Sequence, residues 1–421
     1  MGRRVDTIVV GGGATGSAAA WQLARRGAEV VLLERLDPPG TPAASPAPPA
    51  RSLLVDRAEP ERLRLAADSL RLWRELEDET GTPLLGVPAA VGNALTGAGP
   101  HRRGHSPTAT ALGGVLHGHP TDPDDLLRVL PRFGFDLAEL HLDEAGERWP
   151  GVRFEGRVLH SPQFSAIDPV RAIAALQHAA RRHGASVEHR RRVTRIRVLG
   201  DDRALVEVAP TDATGTAVGD SDGIECRRLV VAAGAWTGRL LGAVLVLPRL
   251  SVTENAAIRL HGTVPHAAVP LLRHIAGAGD ARHGDWRGAV EVVPAADSVT
   301  IGFTEGGGAQ VDPDSAGARN DRHRRRSPLL RFARDRLSSE FTRPDADPVE
   351  EIRRLHTASR DGRLTVDRVG PVAVAAGLSG NGLALAPAVG TLLAGLAAGV
   401  RAPAPFSVRP DRRGSGAPVA R

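Results

Sequence analysis

Three glycines and one acid carry the clearest chemistry in this chain. Gly11, Gly13 and Gly16 stand in the spacing G-x-G-x-x-G, and Glu34 follows the middle glycine by about twenty positions. Gly11 permits a tight turn, Gly13 lets the backbone approach a pyrophosphate, and Gly16 lets a helix pack close to a strand. Glu34 is placed to accept hydrogen bonds from a ribose. The flanking elements must hold these residues in place. Asp6 to Val10 is short, apolar and β-branched, which predicts a buried strand. Ser17 to Arg26 is rich in Ala and free of Pro, which predicts a helix, and Gly27 stops it. Ala28 to Leu33 predicts the second strand. Together these describe a dinucleotide cradle, although the motif alone does not separate FAD from NAD.

Composition limits the alternatives. The 421 residues leave room for two domains. There is no lysine and no tyrosine, so all 54 basic residues are Arg. A Schiff-base lysine, a phosphate-loop lysine and a Tyr acid are therefore excluded. The densest basic run, Arg319 to Arg326, lacks interleaved aromatics and is expected to be a solvated face, not a nucleic-acid site. Cys226 is the only cysteine, is expected to be inert core, and fits a reducing cytoplasm. The uncharged run Val369 to Val400 is broken by Gly, Pro and Asn and is expected to be a strand, a loop and a core helix instead of a membrane span. His101, His105, His117 and His119 have no acidic or Cys partners at metal spacing and are expected to be loop residues, so no metal site is expected.

Along the chain, Pro and Ala dominate residues 37–50, an irregular loop. Glu59 to Glu79 predicts an amphipathic helix, and Asp122 and Asp168 are expected to cap two others. Leu229 to Trp236 predicts a buried strand ending in a tight turn. Nucleotide-style pieces thus recur at the start, middle and end, with strand-rich stretches between them. The expected architecture is α/β, or α+β overall: a Rossmann-like domain from residues 1–82, 151–244 and 331–410, interleaved with a mixed-sheet substrate domain from 83–150 and 245–330, and a loose tail at 411–421.

With this order the sequence resembles the flavin-dependent amine and amino-acid oxidases of the D-amino-acid oxidase superfamily, above all the sarcosine oxidase and N-methyltryptophan oxidase branch. Five ordered motifs carry the resemblance: residues 6–27, VVAAGAWTGRLL at 230–241, IGFTEGGGAQVDPD at 301–314, LHTASRDGRLTVD at 355–367 and AAGLSGNGLALAPAVG at 375–390. The resemblance implies FAD. It implies that Gly11, Gly13, Ala14, Thr15 and Gly16 hold the pyrophosphate, and that Glu34 and Arg35 hold the adenosine end. Arg51 would lie near the flavin, and Val193 would meet adenine through its backbone. Ala233, Gly234 and Trp236 would flank the ribityl and phosphate region, while Gly380, Asn381, Gly382 and Leu383 would line the isoalloxazine.

Departures from the family pattern concern the reaction. The cysteine that attaches FAD in sarcosine oxidase-like enzymes corresponds to Arg354, which implies non-covalent FAD. The oxygen-activating lysine corresponds to Thr300, and the residues gripping the substrate carboxylate to Ala384 and Leu54. A loop histidine corresponds to Asn381 and a substrate-contacting tyrosine to His356. A changed substrate held by Arg354 or Arg273, a dehydrogenase in place of an enzyme using molecular oxygen, and a flavin-binding protein without redox turnover all remain open. His356 reads as a base or as a loop residue, and Arg354 as an anion ligand or as a surface partner of Glu350 or Glu351. Glu291 reads as a solvated strand residue or, less readily, as a ligand for an ammonium group. The expected activity is oxidation of a C–N bond in an amine or amino-acid-derived metabolite to an imine, as in a biosynthetic tailoring step, with catalytic candidates His356, Arg354 and Asn381.

Overall fold

A computed structural model describes residues 3–41, 51–86, 113–261, 269–277, 288–295, 298–304, 309–315, 322–338 and 349–407. The expectations for residues 42–50, His101, His105, Arg319 and the tail lie outside these.

Two sheets organise the described chain. The first contains the opening strand Arg3–Val10, which pairs in parallel with Asp222–Val231 on one side and Val30–Leu33 on the other. Val372–Ala376 extends it in parallel beyond Asp222–Val231, and Ser186–Glu188 extends it beyond Val30–Leu33. The parallel core is therefore assembled from three separated stretches of sequence, and where both faces are covered its strands are aliphatic, as at Ile8, Val9 and Val10, Val30–Leu33, and Leu229, Val230 and Val231. Ala14–Ala24 packs on this sheet between the helices Pro169–Arg182 and Ala386–Ala397. Gly390 makes the second crossing possible, since a Cβ there would lie 2.6 Å from the Ala18 carbonyl carbon. Asp168 caps Pro169–Arg182 by accepting from the Val170 and Arg171 amides. Asp122 differs: its backbone is left-handed (φ 49°) and its side chain caps nothing.

The second sheet has nine strands among the described residues, including Leu250–His261, Ser298–Phe303, Ala289–Pro294, Leu271–Ile275 and Gly114–Gly118. Arg157–Ser161 and Glu350–Ser359 also lie in it, although their sequence positions fall in stretches expected for the nucleotide domain. Glu350–Ser359 goes there because it pairs antiparallel with Leu250–His261 from Arg259 to Leu250. One face of this sheet is covered by Arg322–Arg336 through Leu329, Phe332 and Ala333. The other face turns toward the nucleotide sheet. His117 is buried within Gly114–Gly118, not in a loop, with its ring 4.7 Å from that of His274. No helix among the described residues is long and apolar enough to cross a membrane.

Candidate functional site

A cavity of about 830 Å³ runs from the opening turn to the second sheet. That volume is in the range of about 300–1,000 Å³ typical of ligand and cofactor sites. At one end Gly11 has φ 101°, and a Cβ there would meet the Ala232 carbonyl oxygen at 2.5 Å. Gly16 lies behind the turn, where a Cβ would come within 1.9 Å of the Gly11 carbonyl oxygen. Gly13 faces open space and begins the helix Ala14–Ala24 without any side-chain cap. Its first-turn amides are thus left to a ligand, and Gly13, Ala14 and Thr15 line the cavity. The cradle fits a pyrophosphate. Glu34 accepts from the Gly12 amide at 2.5 Å and the Leu36 amide at 2.9 Å, so two backbone donors fix its carboxylate in the wall. Remaining lone pairs are available to a ribose.

Val193, Ala233 and Gly234 also line the cavity. Arg35 stacks on Trp236, its guanidinium carbon 3.9 Å from the ring centroid. The Trp236 indole donates to Asp314 at 2.8 Å. Trp236 thus sits with the adenosine-end arginine. Asp314 and the cavity-lining Arg192 and Arg239 around it were not anticipated from sequence, although Asp314 closes the motif at 301–314.

The far end is floored by the second sheet. Register places Arg273 opposite Glu291, Glu291 opposite Gly302, and Gly302 opposite Ala257. Opposed residues share a face, and Arg273 and Glu291 of this row line the cavity. Arg273 is buried and ion-paired to Glu291 at 2.7 Å and to Asp56 at 2.8 Å, and it donates to Ser52 at 3.0 Å. Ser52 also donates to Glu291. Glu291 is therefore a buried member of a network, not a solvated strand residue; burial is the strongest single influence and pushes its carboxyl up, but Arg273, Ser52 and Arg354 together hold it below the usual range. Ser52 and Asp56 follow Arg51 directly in sequence, but nothing in their spacing announces a partner two hundred residues away.

Arg354 lies opposite Asn255, and His356 is two residues along on the same face. No hydrogen bond or ion pair reaches Arg51 or Arg354 among the described residues, and Glu350 is taken by Arg259 at 2.8 Å. Burial first, and Arg51 second, hold the Arg354 pKa below the usual arginine range, while Glu291 acts the other way. Burial likewise lowers that of Arg51. A guanidinium stays protonated at neutral pH, so both charges call for an anion. Asn255 is only 6% exposed and lines the cavity, and its side chain has no hydrogen-bond partner among the described residues. Nothing local marks it, because Ser251, Thr253, Glu254 and Arg259 lie in the same strand.

The loop before Ala386–Ala397 closes this end. Gly380 has φ 86°, and a Cβ there would stand 3.4 Å from His356 Nε2. Gly380, Asn381, Gly382 and Leu383 line the cavity, and the Asn381 side chain donates to the Ser379 carbonyl at 3.4 Å. Thr300, Leu54 and Ala384 are buried and are not part of the lining. Leu54 and Ala384 belong to the main core, and the Ala384 carbonyl accepts from the Trp73 indole at 3.1 Å. Cys226 is buried behind the opening strand, and burial pushes its thiol up to about 12.

Comparison with known proteins bears on the fold and the family. The chain is 25% identical to the peroxisomal sarcosine oxidase of Mus musculus over 97% of this chain and 95% of that protein. It is 26% identical to the monomeric sarcosine oxidase of a Bacillus strain, in a match that takes in 57% of this chain and 54% of that enzyme. Its fold is similar to that of glycine oxidase from Geobacillus kaustophilus, with a TM-score of 0.69, 22% identity, and 97% and 99% of the two chains covered. NikD, an amino acid oxidase essential for nikkomycin biosynthesis, gives a TM-score of 0.70 at 22% identity over 94% of each chain. The family model for FAD dependent oxidoreductases matches residues 6–396, and the chain belongs to that family.

Proposed function

We propose that the enzyme binds FAD non-covalently and oxidises the C–N bond of an amine that carries an acidic group, giving an imine that water hydrolyses. When bound, FAD accepts the hydride equivalent from the carbon beside nitrogen. The chain supplies binding and proton handling. Arg354 and Asn255, opposed on the sheet floor, would hold the acidic group, since Arg273 is already engaged by Glu291, Asp56 and Ser52. His356, on the Arg354 face and next to Gly380, would take the proton from the amine nitrogen, because the neutral amine is the form that releases hydride. Arg51 and the Gly380 to Leu383 backbone would stabilise negative charge on the cofactor side.

The observation that carries this reading is the pair of half-buried, cavity-lining guanidiniums, Arg51 and Arg354, which make no hydrogen bond or ion pair among the described residues and face Glu291, a carboxylate already paired to Arg273. Relatives named as acting on sarcosine and glycine support an amino-acid-like substrate. Leu54 and Ala384 are core residues here, so the acidic group sits differently and a larger, tailored metabolite fits better than sarcosine. The lone buried Cys226 suits a reducing compartment such as the cytoplasm. The test is anaerobic mixing of the FAD-loaded protein with a panel of N-alkyl amino acids and amines. Bleaching of the flavin by at least one acidic amine is expected. A flavin that no amine reduces would instead support a redox-silent binding protein.

A further inference from the structure

At the adenosine end, the second sheet reaches across to the nucleotide domain through one short segment. Ala309–Gln310 pairs with Leu250–His261, and the Val311 amide donates to the Val252 carbonyl at 3.0 Å, which anchors the segment on the substrate side. The Asp314 amide then donates to the Asp312 side chain at 2.9 Å, and this turn aims the Asp314 carboxylate at the nucleotide domain. There it accepts from the Trp236 indole at 2.8 Å and from Arg192 at 3.3 Å, pairs with Arg239, and lies 3.6 Å from Arg35. Asp312 holds Arg239 from the other side at 2.9 Å. These partners come from three places in the nucleotide domain: the end of its second strand, the strand Arg191–Gly200, and the turn Gly234–Leu241. Arg35, Arg192, Trp236 and Arg239 all line the cavity.

We infer that Asp314 is a clasp for the cofactor: a positioning residue that ties the two domains across the adenosine end and slows the release of FAD. Three guanidiniums crowded around one point repel one another, and Asp314 is the carboxylate that all three share, with Asp312 adding a second contact to Arg239. Isolated exposed pairs contribute little, but here one acid serves four partners, and the network must open together for the adenosine end to part. Trp236 is held the same way, between Arg35 on its face and Asp314 at its edge. The Asp314 carboxylate touches no reacting atom, and its effect passes through the arginines and the indole.

The inference rests on non-covalent FAD, so acid precipitation comes first. Flavin retained in the pellet refutes that premise and the clasp with it. With flavin in the supernatant, release is followed by recovery of free FAD fluorescence after dilution. Asp314→Asn is expected to release FAD about tenfold faster than wild type at low salt. Raising salt to about 0.5 M should speed release from wild type and leave the variant nearly unchanged, because the screened network is already gone. Asp314→Glu should recover most of the slow release, and the thermal melt of the FAD-free variant should match wild type, which excludes general damage. Unchanged or slower release from Asp314→Asn would overturn the clasp, because the freed arginines would then be holding the pyrophosphate better without it.

Discussion

The Arg354 guanidinium occupies the space that a side chain at Gly302 would fill: a Cβ at 302 would lie 2.5 Å from Arg354 Nη2 and 2.9 Å from the Ala257 Cβ. The missing side chain gives the guanidinium a flat shelf on the sheet. Gly302→Ala is expected to push Arg354 off that shelf. KM for an acidic amine should rise about tenfold, with FAD content unchanged, because the substitution lies on the sheet floor and not in the cradle. Steady-state kinetics and the flavin absorbance of the purified variant measure both.

Arg273 ties the second sheet to the segment after Arg51 through buried charge. Removing it leaves Glu291 and Asp56 without their main partner in the cavity wall. Arg273→Met is expected to cost about 3–5 kcal/mol of stability, the usual penalty for orphaning a buried ion. The double variant Arg273→Met with Glu291→Met should recover part of that loss. Urea unfolding of the three proteins gives the comparison.

His117 provides a pH signature. Burial first, then the neighbouring His274 and Arg336, hold its pKa well below the ordinary histidine value. The folded state therefore binds fewer protons than the unfolded chain once pH falls below about 6.5. Stability is full above that value and declines as pH drops, by about 1.4 kcal/mol per unit from this group. Thermal melts at neutral pH and about 1.5 units below the histidine value should show a larger acid loss in wild type than in His117→Leu. Equal losses would remove His117 as the cause.

Local physics made the cradle legible. Gly11 needs its positive φ for the turn and Gly16 crowds the Gly11 carbonyl within the same short unit, and Glu34 follows from that unit, whereas the Ala232 carbonyl that also bars a side chain at Gly11 lies far along the chain. The interleaving of two sheets was legible because nucleotide-style strands recur at three places in the chain. The strand membership of Glu350–Ser359 was not, since it depends on a partner about a hundred residues earlier. Glu291 misled for the same reason: a charged residue in a strand looks solvated until Arg273 and Ser52 are known to face it. His117 looked like a loop residue because the glycines flanking it, Gly113, Gly114 and Gly118, read as breakers. In the fold they permit close strand approach, and a Cβ at Gly118 would stand 2.4 Å from the Ile275 carbonyl oxygen. Asn255 and Asp314 carry no local signal strong enough to separate them from any polar strand or turn residue.

The central claim is that an acidic group on the amine is gripped by Arg354 while the flavin is reduced. Stopped-flow mixing under anaerobic conditions tests it with one N-alkyl amino acid that bleaches the flavin and its neutral methyl ester. The account expects the acid to reduce the flavin about 10- to 100-fold faster than the ester at equal low concentration, the worth of one charge-assisted contact. It expects Arg354→Met to erase that difference. An ester as fast as the acid, or a preference that survives Arg354→Met, would contradict it.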